Sequence, residues 1–274
     1  MTRTPSLLLI CFVMACCLAA APSHAATTQC SWSFISGSGA NYLNYCVTMN
    51  GNIALLQIGS YQWINAQSSG SGGEGYGVCD QNAPMNYTDY AVSDTGNWNA
   101  PVVLSHNGTS VKIARTTSDG NWTLTQTISK MAKTSSITVV MALKNNQSID
   151  DVAYLVRFAD PFHAAGPNGD WWFATGNGAQ LWYSQAGSGG GSIPPAGAGL
   201  QLQNTGAAPF SFQQGFVQTG SASTTGPNAC AFAYNASQYN LYSSSSNASS
   251  LVMAYVGAVP AGQTRTVTLT YRGL

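Results

Sequence analysis

The sequence is nearly free of charged residues. Asp, Glu, Lys and Arg make up 7% of the 274 residues, against about 25% in ordinary soluble proteins. Acidic and basic residues are equal in number, so the chain has no electrostatic footprint for a nucleic acid or an anionic lipid surface. Solubility must come from hydroxyl groups, side-chain amides and exposed backbone. This composition favours a neutral partner, such as a glycan or another component of a cell surface.

Long apolar runs are also missing, except at the N-terminus. Residues 7–15 are apolar and follow the single charge of Arg3. Small residues then lead to Ala25, which predicts a signal peptide over residues 1–25 and export to the periplasm or the outside. The run is too short to span a membrane, and no later stretch is long enough. The alternative is a lipoprotein whose acylated residue would be Cys16.

Cysteine pairs at metal-binding spacing are absent as well. Three of the seven cysteines lie in the predicted leader, and no two of the remaining four form a C-x-x-C pair. We therefore expect no metal site, and in an oxidising compartment the four predict two disulfides. The spacing does not choose among the possible pairings. Our working expectation is Cys30–Cys46 with Cys79–Cys230.

Helical periodicity is almost absent, whereas strand patterning is widespread. Apolar and polar residues alternate in the segments 121–129, 136–144 and 265–271, and residues 152–159 also read as a strand. Weaker strands are predicted at 42–49, 53–58, 76–79, 89–92, 102–104, 110–116, 171–175, 180–183, 200–203, 230–234 and 251–256.

Short strands separated by turns predict an all-β protein, specifically a large antiparallel β-sandwich. Two Gly/Ser-rich stretches, 68–75 and 186–192, are expected to be long surface loops. Because strand patterning continues across both, we expect residues 26–274 to form a single all-β domain.

Three segments in the region of the predicted strands resemble strands of the galactose-mutarotase-like superfamily. They are residues 122–127, 141–146 and 262–272. Members of that family fold as a two-sheet supersandwich, often handle sugars, and carry a catalytic His and Glu on the concave face. The resemblance implies the supersandwich architecture. It implies no activity, because no residue of this chain matches the family's catalytic His or Glu.

Few ionisable residues are available for chemistry. Glu74 is the sole glutamate and lies among glycines, where a carboxylate can approach a ligand closely. Asp160 and His163 follow a predicted strand, and Asp170 precedes two tryptophans. If the protein is an enzyme, these four are its candidate catalytic residues, with a chemistry such as glycoside hydrolysis. The alternative for each is an ordinary loop or turn position. Neither a phosphate-binding loop nor a G-x-S-x-G motif occurs, so no cofactor is predicted.

Aromatic residues cluster beside the second Gly-rich stretch. The candidate ligand-binding residues are Trp171, Trp172, Trp182 and Tyr183. An exposed ring on a rigid strand offers a flat apolar surface on which a sugar can stack, and core packing is the alternative. Since successive strand residues face opposite sides, Trp171 and Trp172 cannot both point into one core.

The sequence leaves three functions open. The first is a secreted, disulfide-stabilised β-sandwich that binds a neutral glycan or a cell-envelope partner without catalysis. The second is a carbohydrate-active enzyme of supersandwich type. The third is a structural protein of a surface or matrix.

Overall fold

The computed structural model describes residues 29–66, 73–90, 93–94, 96–131, 134–161, 170–174, 177–184, 197–207, 209–219, 228–231, 243–244 and 249–274. The strands form three antiparallel sheets, which confirms the predicted all-β sandwich. The predicted signal peptide and Cys16 lie outside the described residues, as does the Gly-rich stretch 186–192.

The small sheet contains the first four strands in sequence order: β1 (Trp32–Ser36), β2 (Leu43–Val47), β3 (Ile53–Ile58) and β4 (Tyr61–Asn65). The six-stranded sheet has the spatial order β16 (Phe212–Thr219), β18 (Ser249–Val259), β12 (Asp151–Ala159), β5 (Glu74–Asp80), β6 (Met85–Tyr90) and β7 (Ser93–Asp94). The nine-stranded sheet has the order β17 (Ser243–Ser244), β13 (Asp170–Ala174), β14 (Gly178–Ser184), β15 (Gly197–Asn204), β19 (Thr264–Gly273), β11 (Ser136–Asn145), β10 (Trp122–Lys130), β9 (Ser110–Thr116) and β8 (Val102–His106).

All three sheets contribute to one hydrophobic core. Strand β10 illustrates how the sequence builds it, because Trp122, Leu124 and Ile128 are buried while the threonines between them are half-exposed. This is the period of two that a half-buried strand requires. The other face of the nine-stranded sheet therefore carries mainly threonine and glutamine side chains, as the low charge content suggested.

A second apolar cluster lies on the outer face of the six-stranded sheet. It includes Cys79, Tyr90, Phe158, Phe216 and Val252. A disulfide joins Cys79 to Cys230 with a Cα–Cα distance of 5.0 Å, and a second joins Cys30 to Cys46 at 5.4 Å. The expected pairing is confirmed, and two disulfides are typical of a protein outside the cytoplasm.

Most strand predictions are confirmed, including residues 53–58 and 110–116 with their bounds. Strands β1, β4 and β16 and the two-residue strands β7 and β17 were missed. The predicted strand 230–234 is wrong where it can be compared, because residues 229–231 form a helical turn. The side chain of Asn228 accepts a hydrogen bond from the Ala231 N–H at 3.1 Å, which caps this turn.

The first Gly-rich stretch is a loop only in part. Residues 67–72 lie outside the described residues, but Glu74 and Gly75 begin β5, which corrects the expectation of a loop over 68–75. A Cβ at Gly75 would lie 2.3 Å from the Asp89 carbonyl oxygen and 2.7 Å from Phe158 Cζ. Glycine is thus needed here for close packing, not for flexibility.

Within the part of the chain that the structure describes, none of the helices has the length and apolarity needed to cross a bilayer.

Candidate functional site

The sole glutamate lies in the interior of the sandwich. Glu74 forms an ion pair with Arg157, and both side chains are fully buried. Its carboxylate also accepts hydrogen bonds from the Tyr271 hydroxyl at 2.9 Å and from the Ile53 N–H at 2.7 Å. Burial raises the pKa of Glu74, while the charge of Arg157 and these two donors act against the rise. The carboxylate is therefore surrounded by partners from three different strands.

A second buried ion pair lies nearby, between Arg115 on β9 and Asp89 on β6. The two pairs are linked through Tyr76, whose hydroxyl accepts a hydrogen bond from Arg115 Nη1 at 3.4 Å and whose ring lies 5.9 Å from the Arg157 guanidinium carbon. We call Glu74, Arg157, Asp89, Arg115 and Tyr76 the ionic cluster. Its charges are balanced within the protein interior, as buried charges must be.

The turn between β2 and β3 fills the space beside the ionic cluster. The Tyr76 hydroxyl donates to the Asn50 carbonyl at 2.7 Å, and Arg157 Nη2 donates to the Gly51 carbonyl at 3.3 Å. Asn52 Nδ2 donates to the Asp89 carboxylate. The charged groups of the ionic cluster thus already bind the protein's own backbone and side chains, whereas Asn50 Nδ2 and Asn52 Oδ1 of the turn are buried without a hydrogen-bond partner. This arrangement is suited to stabilising the fold, because such a buried pair is costly to break.

Asp160, another candidate catalytic residue, lies beside the ionic cluster. Asp160 is 5% exposed and follows β12, where its N–H donates to the Gly73 carbonyl at 2.8 Å. It thus lies close in space to Glu74, since its chain neighbour Ala159 pairs with Glu74 in the sheet. Burial raises the pKa of the Tyr90 hydroxyl, with further contributions from the charges of Asp160 and Glu74. Tyr90, however, belongs to the outer apolar cluster.

The structure describes the remaining two catalytic candidates only in part. His163 lies outside the described residues, and Asp170 begins β13 with a side chain that the structure does not describe. Among the described residues, no group of three His, Cys, Asp and Glu side chains comes together as a metal site would require.

The aromatic candidates divide between core and surface. Trp172 is fully buried and belongs to the main core. Trp182 is half-buried on β14 and faces the opposite side from the core residue Leu181. The backbones of Trp171 and Tyr183 lie on β13 and β14, and their side chains are not described.

Trp182 is held in place on the outer face of the nine-stranded sheet. Its Nε1 donates to Gln180 Oε1 at 3.2 Å. Its ring packs on Gly199 of the adjacent strand β15, where a Cβ would come within 3.0 Å of Trp182 Cδ2. A larger residue at 199 would push the ring away from the strand. The result is an aromatic ring that is fixed on one side and partly exposed to solvent.

Polar side chains run alongside this ring. The register places Gln180 beside Gln201, and Gln201 beside Arg272 on β19. Arg272 Nε donates to Gln201 Oε1 at 2.5 Å, and the Arg272 side chain is otherwise exposed. We call Trp182, Gly199, Gln180, Gln201 and Arg272 the outer platform. It combines an apolar ring with amide and guanidinium donors.

No local sequence pattern marks Gly199, Gln201 and Arg272, which were not predicted. Arg115 and Arg157 of the ionic cluster were not predicted either, although the sequence carries a signal for them. Arg157 lies between Leu155 and Ala159 at two-residue spacing, and Arg115 follows Val111 and Ile113 on the same face of its strand. A charged residue in a buried strand requires a buried partner of opposite charge.

Comparisons with known proteins identify the fold. The chain matches no model of a protein family and no curated protein. A solved galactose mutarotase related enzyme from Lactobacillus acidophilus is similar in structure, with a TM-score of 0.51, 6% identity, and coverage of 89% of this chain and 97% of that one. A bacterial glucoamylase complexed with acarbose is similar with a TM-score of 0.52 and 9% identity, over 90% of this chain and 32% of that one. The resemblance to galactose-mutarotase-like supersandwich proteins is thereby confirmed at the level of the fold.

Proposed function

We propose that this protein is exported and binds a neutral glycan, free or in a cell envelope, without catalysing a reaction on it. The first 25 residues direct the export, and the two disulfides hold the mature protein together outside the cytoplasm. The proposal assigns binding to the outer platform and a purely stabilising role to the ionic cluster.

The observation that carries the proposal is the setting of Trp182. A sugar ring presents one face of C–H groups and a rim of hydroxyls. A fixed, partly exposed indole matches the C–H face, while the amide of Gln180 and the guanidinium of Arg272, which the buried Gln201 holds in place, suit the hydroxyl rim. Sites of this kind combine an apolar surface with a few well-placed polar groups.

The ionic cluster supports a role without catalysis. A general acid or base must reach the atom whose proton it transfers. Glu74 is fully buried, and its oxygens accept hydrogen bonds from Arg157, Tyr271 and Ile53. A substrate would have to displace the β2–β3 turn to reach it.

A carbohydrate-active enzyme is the second candidate function, and the fold favours it. Two of the proteins of similar structure are a galactose mutarotase related enzyme and a glucoamylase. On this alternative the chemistry falls to Asp160, His163 and Asp170, the candidates outside the ionic cluster.

Binding can be tested by retention of the purified protein on insoluble neutral polysaccharides and on a glycan array. Truncating an aromatic anchor of a binding site costs about 2 kcal/mol or more, so we expect Trp182→Ala to weaken binding by about 30-fold. The matched control is Phe212→Ala, because Phe212 is another exposed aromatic residue on a strand, 47% exposed on β16. Equal retention of Trp182→Ala and the wild type would remove the outer platform from the account.

The enzyme alternative is tested with the same glycans. Incubation with each retained glycan, followed by mass spectrometry and by measurement of anomer exchange, is expected to show no change in the glycan. A reaction that is lost in Asp160→Asn, His163→Gln or Asp170→Asn would establish the enzyme in place of the binder.

A further inference from the structure

A cleft lies where the small sheet meets the edge of the outer platform. Its volume is about 300 Å³, at the small end of the range for ligand pockets, roughly 300–1,000 Å³. It is lined by residues of the small sheet and of the C-terminal strands, among them Tyr61, Trp63, Ser135, Gly199 and Leu274. The cleft therefore suits a ligand the size of a single sugar ring.

Among the described residues, none with a charged side chain lines the cleft. Its lining consists of aromatic, aliphatic and serine side chains together with exposed glycine backbone. Tyr61 and Trp63 stack with their ring centroids 5.7 Å apart and their planes 28° from parallel. Trp63 is 4% exposed, and its Nε1 has no hydrogen-bond partner. A buried indole donor without a partner is uncommon and marks a place where an acceptor is expected.

The cleft and the outer platform are continuous. Gly199 lines the cleft and is also the residue on which Trp182 packs. The backbones of Gly199 and Leu274 exchange two hydrogen bonds, of 2.8 and 3.2 Å, which brings the end of the chain to the same edge. Trp182, Gly199 and Leu274 thus form one row across the sheet that leads from the exposed ring to the cleft.

From this arrangement we propose that the cleft binds the terminal sugar ring of a neutral glycan while the adjoining ring stacks on Trp182. This inference rests on the proposed glycan-binding function and makes the protein a reader of chain ends. The neutral lining matches an uncharged pyranose, and the stacked aromatic pair matches its C–H face. The hydroxyls of Ser60 and Ser135 supply donors and acceptors for its hydroxyl groups.

The test uses calorimetric titration with glucose, galactose, mannose and N-acetylglucosamine and with linear neutral oligosaccharides of two to six residues. Ser135→Trp fills the cleft from a half-exposed loop position, and Tyr61→Ala removes one wall. Urea unfolding of both variants checks that they are folded. We expect both to bind the oligosaccharides more weakly by about tenfold or more and to lose binding of the single sugar. Trp182→Ala is expected to weaken binding of the oligosaccharides and to leave binding of the single sugar unchanged.

The outcomes separate the two proposals. If both cleft variants bind oligosaccharides as the wild type does while Trp182→Ala does not, the chain-end proposal is overturned and the proposed function stands. If the wild type binds none of the sugars, both are overturned. Weakening in the two cleft variants, together with retained binding in the Phe212→Ala control, supports the chain-end proposal.

Discussion

Removing the carboxylate of Glu74 is the perturbation whose effect the structure specifies most fully. The variant Glu74→Ala leaves Arg157 as a buried charge without its carboxylate, and it leaves the Ile53 N–H and the Tyr271 hydroxyl without their acceptor. Breaking a buried ion pair from one side costs about 3–5 kcal/mol. That is a large part of a total stability of about 5–15 kcal/mol. We expect the melting temperature to fall by roughly 6–20 °C.

The free energy of unfolding is measured by urea titration with tryptophan fluorescence, under oxidising conditions that keep both disulfides. The matched control is Asp150→Ala, because Asp150 is exposed and its carboxylate accepts one hydrogen bond, from the Ala261 N–H at 2.9 Å. Its loss is expected to cost at most about 1 kcal/mol. The double variant Glu74→Ala/Arg157→Met is expected to be more stable than Glu74→Ala, since no unpaired charge remains buried.

This prediction also separates a structural from a catalytic Glu74. Replacing an active-site residue often leaves the stability of a protein unchanged or raises it, because active sites trade stability for activity. If Glu74→Ala is as stable as Asp150→Ala, the structural role of the ionic cluster is refuted, and a catalytic role for Glu74 gains support.

Three further predictions follow from the fold. Burial raises the pKa of Asp119, but hydrogen bonds from Thr117, Tyr87 and Asn121 outweigh the effect of burial, so the net shift of the pKa is downward. A carboxyl group whose pKa is lowered by folding stabilises the fold above its unfolded pKa, and this stabilisation is lost as the pH falls. Asp119→Asn should therefore lower the urea midpoint of unfolding at pH 7, and the difference from the wild type should shrink below about pH 4. A difference that does not depend on pH would contradict the role of the ionised carboxylate. The Cys79–Cys230 disulfide closes a loop with a sequence separation of 151, against 16 for Cys30–Cys46. When each pair is changed to serine, the chain-entropy model therefore predicts that the free energy of unfolding falls by about 5 and about 3 kcal/mol, respectively. Equal decreases, measured by urea unfolding, would exclude that model for this protein. Gly75→Ala should destabilise the protein by about 1–3 kcal/mol through overpacking. Gly108→Ala, whose Cβ would meet nothing within 4 Å, should leave the stability almost unchanged. The same urea midpoint for both variants would show that the packing around β5 is loose.

The sequence was sufficient to predict most of the strands. Alternation of apolar and polar residues marked β10, β11 and β19, because their side chains see the core on one face and solvent on the other. Strands β1, β4 and β16 were missed because the same alternation is weak in them, and Ile35 of β1 is 65% exposed. The turn at 229–231 was missed because its cap depends on Asn228 and its position on the disulfide to Cys79.

The sites could be predicted only in part. Trp182 was identified from the local clustering of aromatic residues. Its partners Gly199 and Arg272 come from strands β15 and β19, and only the pairing register brings them to the ring. The ion pair between Glu74 and Arg157 joins residues 83 positions apart. The sequence pattern along one strand does not specify its register with a distant strand. Arg157, a charged residue in a buried strand, indicates only that a partner of opposite charge must exist.

The central claim is that the outer platform binds a neutral glycan which the protein leaves intact. It is tested most directly by titrating wild-type protein and Trp182→Ala with an oligosaccharide that the wild type retains, and by analysing the recovered sugar in the same samples. The account predicts that the dissociation constant rises by about 30-fold in the variant and that the sugar is recovered unchanged from both. Equal dissociation constants, or a sugar converted by the wild type, would contradict it.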